Sequence, residues 1–151
     1  MDKALLVQTA QALVAEGKGI LAADESGGTI KRRFDSINVE STEDNRRNYR
    51  EMLFRTAGVN EFISGVILFD ETIRQNAADG SRMVKVLADQ GIISGIKVDK
   101  GTIPLPESPD ELVTEGLDGL RDRLKEYVEL GAGFTKWRAV ISMTDSTPSS
   151  Y

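Results

Sequence analysis

Four short apolar runs in the chain each end in charged residues. Gly19 to Ala23 runs into Asp24-Glu25, Ile63 to Phe69 into Asp70-Glu71, Ile92 to Ile96 into Lys97-Val98-Asp99-Lys100, and Phe134-Thr135 into Lys136-Trp137-Arg138. Their length and β-branched content predict strands, and helical spacing fills the gaps between them. A leading helix is expected over residues 2–16, with Asp2 as N-cap and Gly17 as its stop. A short helix carrying Ile30, Phe34 and Ile37 follows the loop Ser26-Gly27-Gly28-Thr29. A longer one is expected from about Thr42 to Thr56, where Ser41 and Asp44 resemble a capping box. Helical or turn character is expected from Glu71 to Gly80, then a helix around Ser81 to Ala88. After a loop containing Pro104, Pro106 and Pro109, a further helix is expected from about Glu115 to Leu130, with Leu117, Leu120, Leu124 and Val128 along one face.

The chain therefore reads as an α/β protein of repeated βα units, with four strands and about three crossovers. A closed eight-stranded barrel typically takes about 250 residues, so this chain is expected to supply roughly half of one. Buried parallel strands have little reason to collect charges at their C-terminal ends, which is where α/β barrels place their chemistry.

Composition narrows the chemistry. The 151 residues are 40% apolar, enough for a core, and 19 basic against 24 acidic residues give a net charge of -5. No Lys/Arg-rich block tracks a phosphate backbone, which argues against nucleic acid as a partner. The chain has no cysteine and no histidine, so disulfides, thiolate or imidazole metal ligands and Ser-His-Asp machinery are excluded. No apolar run approaches the roughly 20 residues that span a bilayer, and no signal peptide pattern opens the chain. A soluble, cytoplasmic protein is expected.

Side chains alternate along a strand, so Lys97 and Asp99 share one face, as do Lys136 and Arg138. If Ala22 faces inward, so does Asp24, and an acid, an acid/base lysine and several cations converge in one pocket. The plain alternative is that these charges reach from strand ends into water. Ser26-Gly27-Gly28-Thr29 before a helix suits an anion cradle, although the same residues serve ordinary turns. Arg32-Arg33 and Arg46-Arg47 read as solvated helix faces.

The words Gly17-Lys18-Gly19-Ile20-Leu21-Ala22-Ala23-Asp24-Glu25-Ser26, Asn45-Arg46-Arg47, Gly65-Val66-Ile67-Leu68-Phe69, Gly95-Ile96-Lys97-Val98-Asp99-Lys100-Gly101, Gly116-Leu117-Asp118-Gly119-Leu120 and Lys136-Trp137-Arg138 resemble the class I fructose-bisphosphate aldolases in order and spacing. The resemblance implies a (β/α)8 TIM barrel, usually a homotetramer, that cleaves fructose 1,6-bisphosphate through a lysine Schiff base without metal or other cofactor. It implies that Asp24 assists carbon–carbon bond cleavage, and that Lys136 helps form and break the carbinolamine and holds Asp24 ionised. Ser26, Thr29 and Lys97 would hold the carbon-six phosphate, with Arg138, Arg33 and Arg46 adding positive charge at the rim. Thr29 stands where many members have serine, which keeps the hydroxyl. The family's Schiff-base lysine lies on the sixth strand and a catalytic glutamate on the fifth, and neither has a counterpart here. Residues 1–151 are thus expected to be the N-terminal half of one barrel. The alternative is a non-catalytic half-barrel that binds sugar phosphate or self-associates.

Overall fold

A computed structural model describes residues 2–150. The leading helix α1 (Lys3–Leu13) starts where the Asp2 carboxylate accepts the N–H groups of Ala4 and Leu5 at 2.9 and 3.2 Å. It ends at Leu13, earlier than the expected stop, and Gly17 takes a left-handed turn (φ 74°) before β1 (Gly19–Ala23). Helix α2 (Gly27–Asp35) buries Ile30 and Phe34, whereas Ile37 falls beyond it and is 64% exposed. Helix α3 (Glu43–Phe54) is capped by Thr42, whose hydroxyl accepts the Asn45 N–H at 3.1 Å. The cap is therefore Thr42 and not Ser41, because the hydroxyl of Thr42 stands the right three residues before a free amide.

A single turn, α4 (Val59–Phe62), leads into β2 (Ile63–Leu68), which is followed by α5 (Asp70–Arg74) and α6 (Met83–Ala88). Strand β3 (Ile93–Lys97), helix α7 (Leu120–Leu130) and β6 (Phe134–Lys136) complete the repeat. Between β3 and α7 the structure departs from expectation. The proline-rich stretch is an antiparallel hairpin of β4 (Thr102–Leu105) and β5 (Ser108–Thr114), turned through Glu107 at φ 62°. A two-stranded hairpin has a free edge on each strand, where a proline's missing N–H breaks no ladder. Helix α7 begins only at Leu120, because Gly116 and Gly119 take left-handed conformations (φ 129° and 64°) that interrupt any earlier turn. Leu117 is accordingly 72% exposed and packs in no helical stripe, and Val128 is also exposed; Leu120 and Leu124 do pack on the core.

The main sheet has the order β1-β2-β3-β6, all parallel. Its outer face carries Ala23, Val66, Leu68, Ile96 and Val98, packed against Phe54, Ile73, Met83, Leu87 and Tyr127 from the helices. The other face is narrow: Gly65 and Gly95 lie beneath the Phe134 ring, and a Cβ at Gly65 would come within 2.6 Å of Leu13. The register aligns Ala23 with Leu68, Leu68 with Ile96, and Lys97 with Lys136, so the charged ends of the strands lie level along one rim. Among the described residues, no helix is long and apolar enough to cross a membrane.

Candidate active site

Strand alternation sorts the rim residues by face. Ala23 is fully buried among the helix-facing core, so Ala22, and Asp24 after it, take the opposite face. Lys97 sits between the core residues Ile96 and Val98 and likewise faces away from the helices, in register with Lys136. Lys97 and Lys136 thus come together on strands, and Asp24 joins them from the first residue past β1. The Lys136 ammonium donates to Asp24 Oδ2 at 2.5 Å across 112 positions of sequence. Asp24 is 9% exposed and the Lys136 side chain 30%, so the pair sits where the buried end of β1 meets solvent.

One step along the rim, Lys97 Nζ donates to Asp99 Oδ1 at 2.5 Å and to the Asp99 carbonyl at 2.9 Å. Burial would push the Asp99 carboxyl up, but the Lys97 hydrogen bond and charge, the Gly101 N–H and the Lys136 charge outweigh it and hold Asp99 below the usual carboxylate range. The Arg123 guanidinium bonds the carbonyls of Val98 and Gly116 at 3.0 and 2.5 Å, which fixes the chain as it leaves β3.

A cleft of about 680 Å³ opens beside these groups, and Ser26, Lys97 and Arg138 line it. Cations outnumber carboxylates in its wall, with Arg74, Lys97, Lys100, Arg123 and Arg138 against Asp70, Asp99 and Glu126, in a chain whose net charge is -5. Arg138 lies beyond the end of β6 and is held there by the Thr114 hydroxyl, which donates to its carbonyl at 2.7 Å. Ser26 is the N-cap position of α2, and its hydroxyl lies 3.2 Å from that of Thr29. A Cβ added at Gly27 or Gly28 would meet nothing within 4 Å, so the helix N-terminus is open to an approaching anion. This constellation combines a proton-exchanging acid/amine pair with donors suited to a phosphate.

Of the expected site residues, Ser26, Lys97 and Arg138 line the cleft, whereas Asp24, Lys136, Thr29, Arg33 and Arg46 do not. Arg33 pairs with Glu25, and Arg46 holds Glu71 through two hydrogen bonds of 2.5 and 2.8 Å; neither lines the cleft. The Arg46 hydrogen bond holds the Glu71 carboxyl below its ordinary range. Both carboxylates also face Arg50, a wholly buried cation outside the expected set of site residues. Arg50 precedes the fully buried Phe54 by one helical turn on the same face of α3, a spacing that gives the side it points to but not its burial. Among the described residues, no group of three or more His, Cys, Asp or Glu is placed to hold a metal ion.

A family model described as class-I fructose-bisphosphate aldolase matches residues 5–151. A probable class 1 fructose-bisphosphate aldolase from Xylella fastidiosa is 61% identical over 144 residues, covering 95% of this chain and 43% of the relative. An Arabidopsis thaliana protein named fructose-bisphosphate aldolase 4, cytosolic, is 54% identical over 95% of this chain and 37% of its own length. The co-crystal structure of Plasmodium falciparum fructose-bisphosphate aldolase with TRAP and a small-molecule inhibitor matches with a TM-score of 0.94 at 51% identity. It is matched over 97% of this chain and 43% of that one. The chain spans less than half the length of these relatives.

Proposed function

The chain belongs to the class-I fructose-bisphosphate aldolase family, and from that premise we propose that it carries the acid/base pair and the carbon-six phosphate pocket of a metal-independent aldolase. Its four parallel strands are part of a (β/α)8 TIM barrel. The reaction is the reversible cleavage of fructose 1,6-bisphosphate to dihydroxyacetone phosphate and glyceraldehyde 3-phosphate. The single observation that carries this reading is the Lys136–Asp24 pair, 2.5 Å apart at the C-terminal rim of the parallel sheet, next to a cation-lined cleft.

In this reading Asp24, paired with Lys136, exchanges a proton with the substrate hydroxyl as the carbon–carbon bond breaks or forms. Lys136 moves protons as the carbinolamine is made and lost. Ser26, Thr29 and Lys97 receive the carbon-six phosphate at the open start of α2, with charge support from Arg138. Arg33 and Arg46 serve as rim cations, each paired with a carboxylate, Glu25 and Glu71. The family's Schiff-base lysine belongs to the sixth strand and the carbon-one phosphate site to the seventh and eighth. In our proposal residues 1–151 are the N-terminal half of the barrel, and those groups come from its remaining strands. The assembled enzyme is then a cytoplasmic homotetramer, in line with the cytosolic name of the Arabidopsis relative.

A second reading, a non-catalytic half-barrel that binds sugar phosphate, is favoured by one observation: Ser26, Lys97 and Arg138 line the cleft without needing any group from another strand. Both readings are tested by titrating the chain with glycerol 3-phosphate and following amide resonances. Shifts centred on Ser26, Gly27 and Lys97 are expected, with an affinity at least about tenfold weaker in Lys97→Met, the cost of a hydrogen bond from a charged donor. Equal affinity in the two chains contradicts the phosphate assignment. Turnover when the rest of a barrel is supplied separates the enzyme from the binding module.

A further inference from the structure

The backbone that carries Asp24 has no sheet partner. Pairing of β1 with β2 ends at Ala23, aligned with Leu68, and helix α2 begins at Gly27. Asp24 and Glu25, each 9% exposed, lie in that gap. An unpaired segment of this kind is held by side chains or it is not held. Here the holding group is Arg50, which reaches from α3 and donates from Nη2 to the Glu25 carbonyl at 2.8 Å.

Alternation puts Glu25 on the face opposite Asp24, toward the helices. Its carboxylate pairs with Arg33 and lies 3.9 Å from Arg50 Nη2, while Arg50 Nη1 lies 3.6 Å from Glu71 at the start of α5. Arg50 has no exposed surface, and its guanidinium also lies over the Phe69 ring, 6.0 Å from the centroid. It therefore links the unladdered end of β1, by a hydrogen bond to Glu25, with the end of β2, where it meets Phe69 and Glu71 by charge alone. A planar fork with several donors can do this, and a single-point ammonium cannot reach both sides at once.

We propose that Arg50 is a positioning residue: through the Glu25 carbonyl and carboxylate it fixes the Glu25–Ser26 peptide and the Glu25 side chain, and so holds the backbone beside Asp24 in the place that aims the Asp24 carboxylate at Lys136. The importance of that aim rests on the proposed role of Asp24, but the geometry can be tested without any substrate.

The test is NMR on the full chain labelled with 15N and 13C. In the wild type, the Arg50 Nη protons are expected to exchange slowly and to show a coupling across the hydrogen bond to the Glu25 carbonyl carbon. Freely exchanging, rapidly rotating Nη groups overturn the proposal. In Arg50→Lys the amide pattern of β2 and β3 is expected to persist, while the Asp24 carboxyl carbon and Lys136 Cε resonances move together and the protected Lys136 ammonium signal is lost. A merely structural Arg50 would disturb the core amides or the melting temperature and leave the pair's resonances in place, and that result overturns the proposal. If Arg50→Lys does not fold, the wild-type coupling decides alone. No readout involves sugar phosphate, so failure of the glycerol 3-phosphate titration and failure of this inference are separate results.

Discussion

Asp24, Lys97 and Lys136 are legible in sequence because a two-residue period is rigid. Once Ala23, Ile96 and Val98 are core, the neighbouring charges have only one face left to occupy. Arg50 and Glu25 are not legible in the same way, since a charge in a polar helix or at a strand end is ordinarily solvated, and nothing local says that α2 and α3 will close over it. The two classes of residue should also fail differently. Asp24→Asn keeps the shape of the site and removes the base, so in an assembled barrel turnover should fall by about 10²–10⁴, measured as kcat with the fold checked by circular dichroism. Near-normal turnover contradicts the role. Arg50→Met instead removes the cation that Glu25 and Glu71 share and leaves each only its own arginine, Arg33 and Arg46, and should lower unfolding stability by about 1–3 kcal/mol in denaturant titration.

At the scale of elements, the strands and the longer helices follow from periodicity, while the hairpin does not. Prolines at 104, 106 and 109 argue against a central strand, and only the isolation of β4 and β5 as a two-stranded unit makes them acceptable. The packing of β6 on β3 is equally specific. Phe134 lies directly over Gly95, where any Cβ would overlap the ring. Gly95→Ala should therefore cost about 1–3 kcal/mol, read from the shift of the unfolding midpoint, and Phe134→Leu in the same chain should recover part of it. A neutral Gly95→Ala would mean that β6 packs elsewhere.

The rim carboxylates add a pH dependence. Asp70, Asp99 and Glu71 are all held below the ordinary range, in each case because hydrogen bonds from Arg74 and Tyr127, from Lys97, and from Arg46 outweigh burial. A depressed folded-state pKa gives stability that is fully present above the unfolded value of about 4 and is lost as pH falls below it. Unfolding midpoints should be level from pH 8 to about pH 5 and drop at more acid values. Midpoints that stay level down to about pH 3 would show that these pairs do not hold the fold.

On the scale of the whole molecule, β1 and β6 are the outer strands of the sheet, each paired on one side only among the described residues. Exposed apolar side chains lie on or near both, including Ile20 and Phe62 at one end and Trp137 and Ile141 at the other. Four more parallel strands would cover these edges and bring the level rim of Asp24, Lys97 and Lys136 into a closed site. The proportion of the relatives matched, 43% for the Xylella protein, fits that division. The measurement that tests the division most directly is intact mass spectrometry. The chain is mixed with the unmatched remainder of the Xylella relative, treated with dihydroxyacetone phosphate and reduced with borohydride, which fixes any Schiff base as a stable adduct. The account predicts an adduct on the added portion and an unmodified 151-residue chain. An adduct on this chain would place the nucleophile among its own lysines and contradict the account.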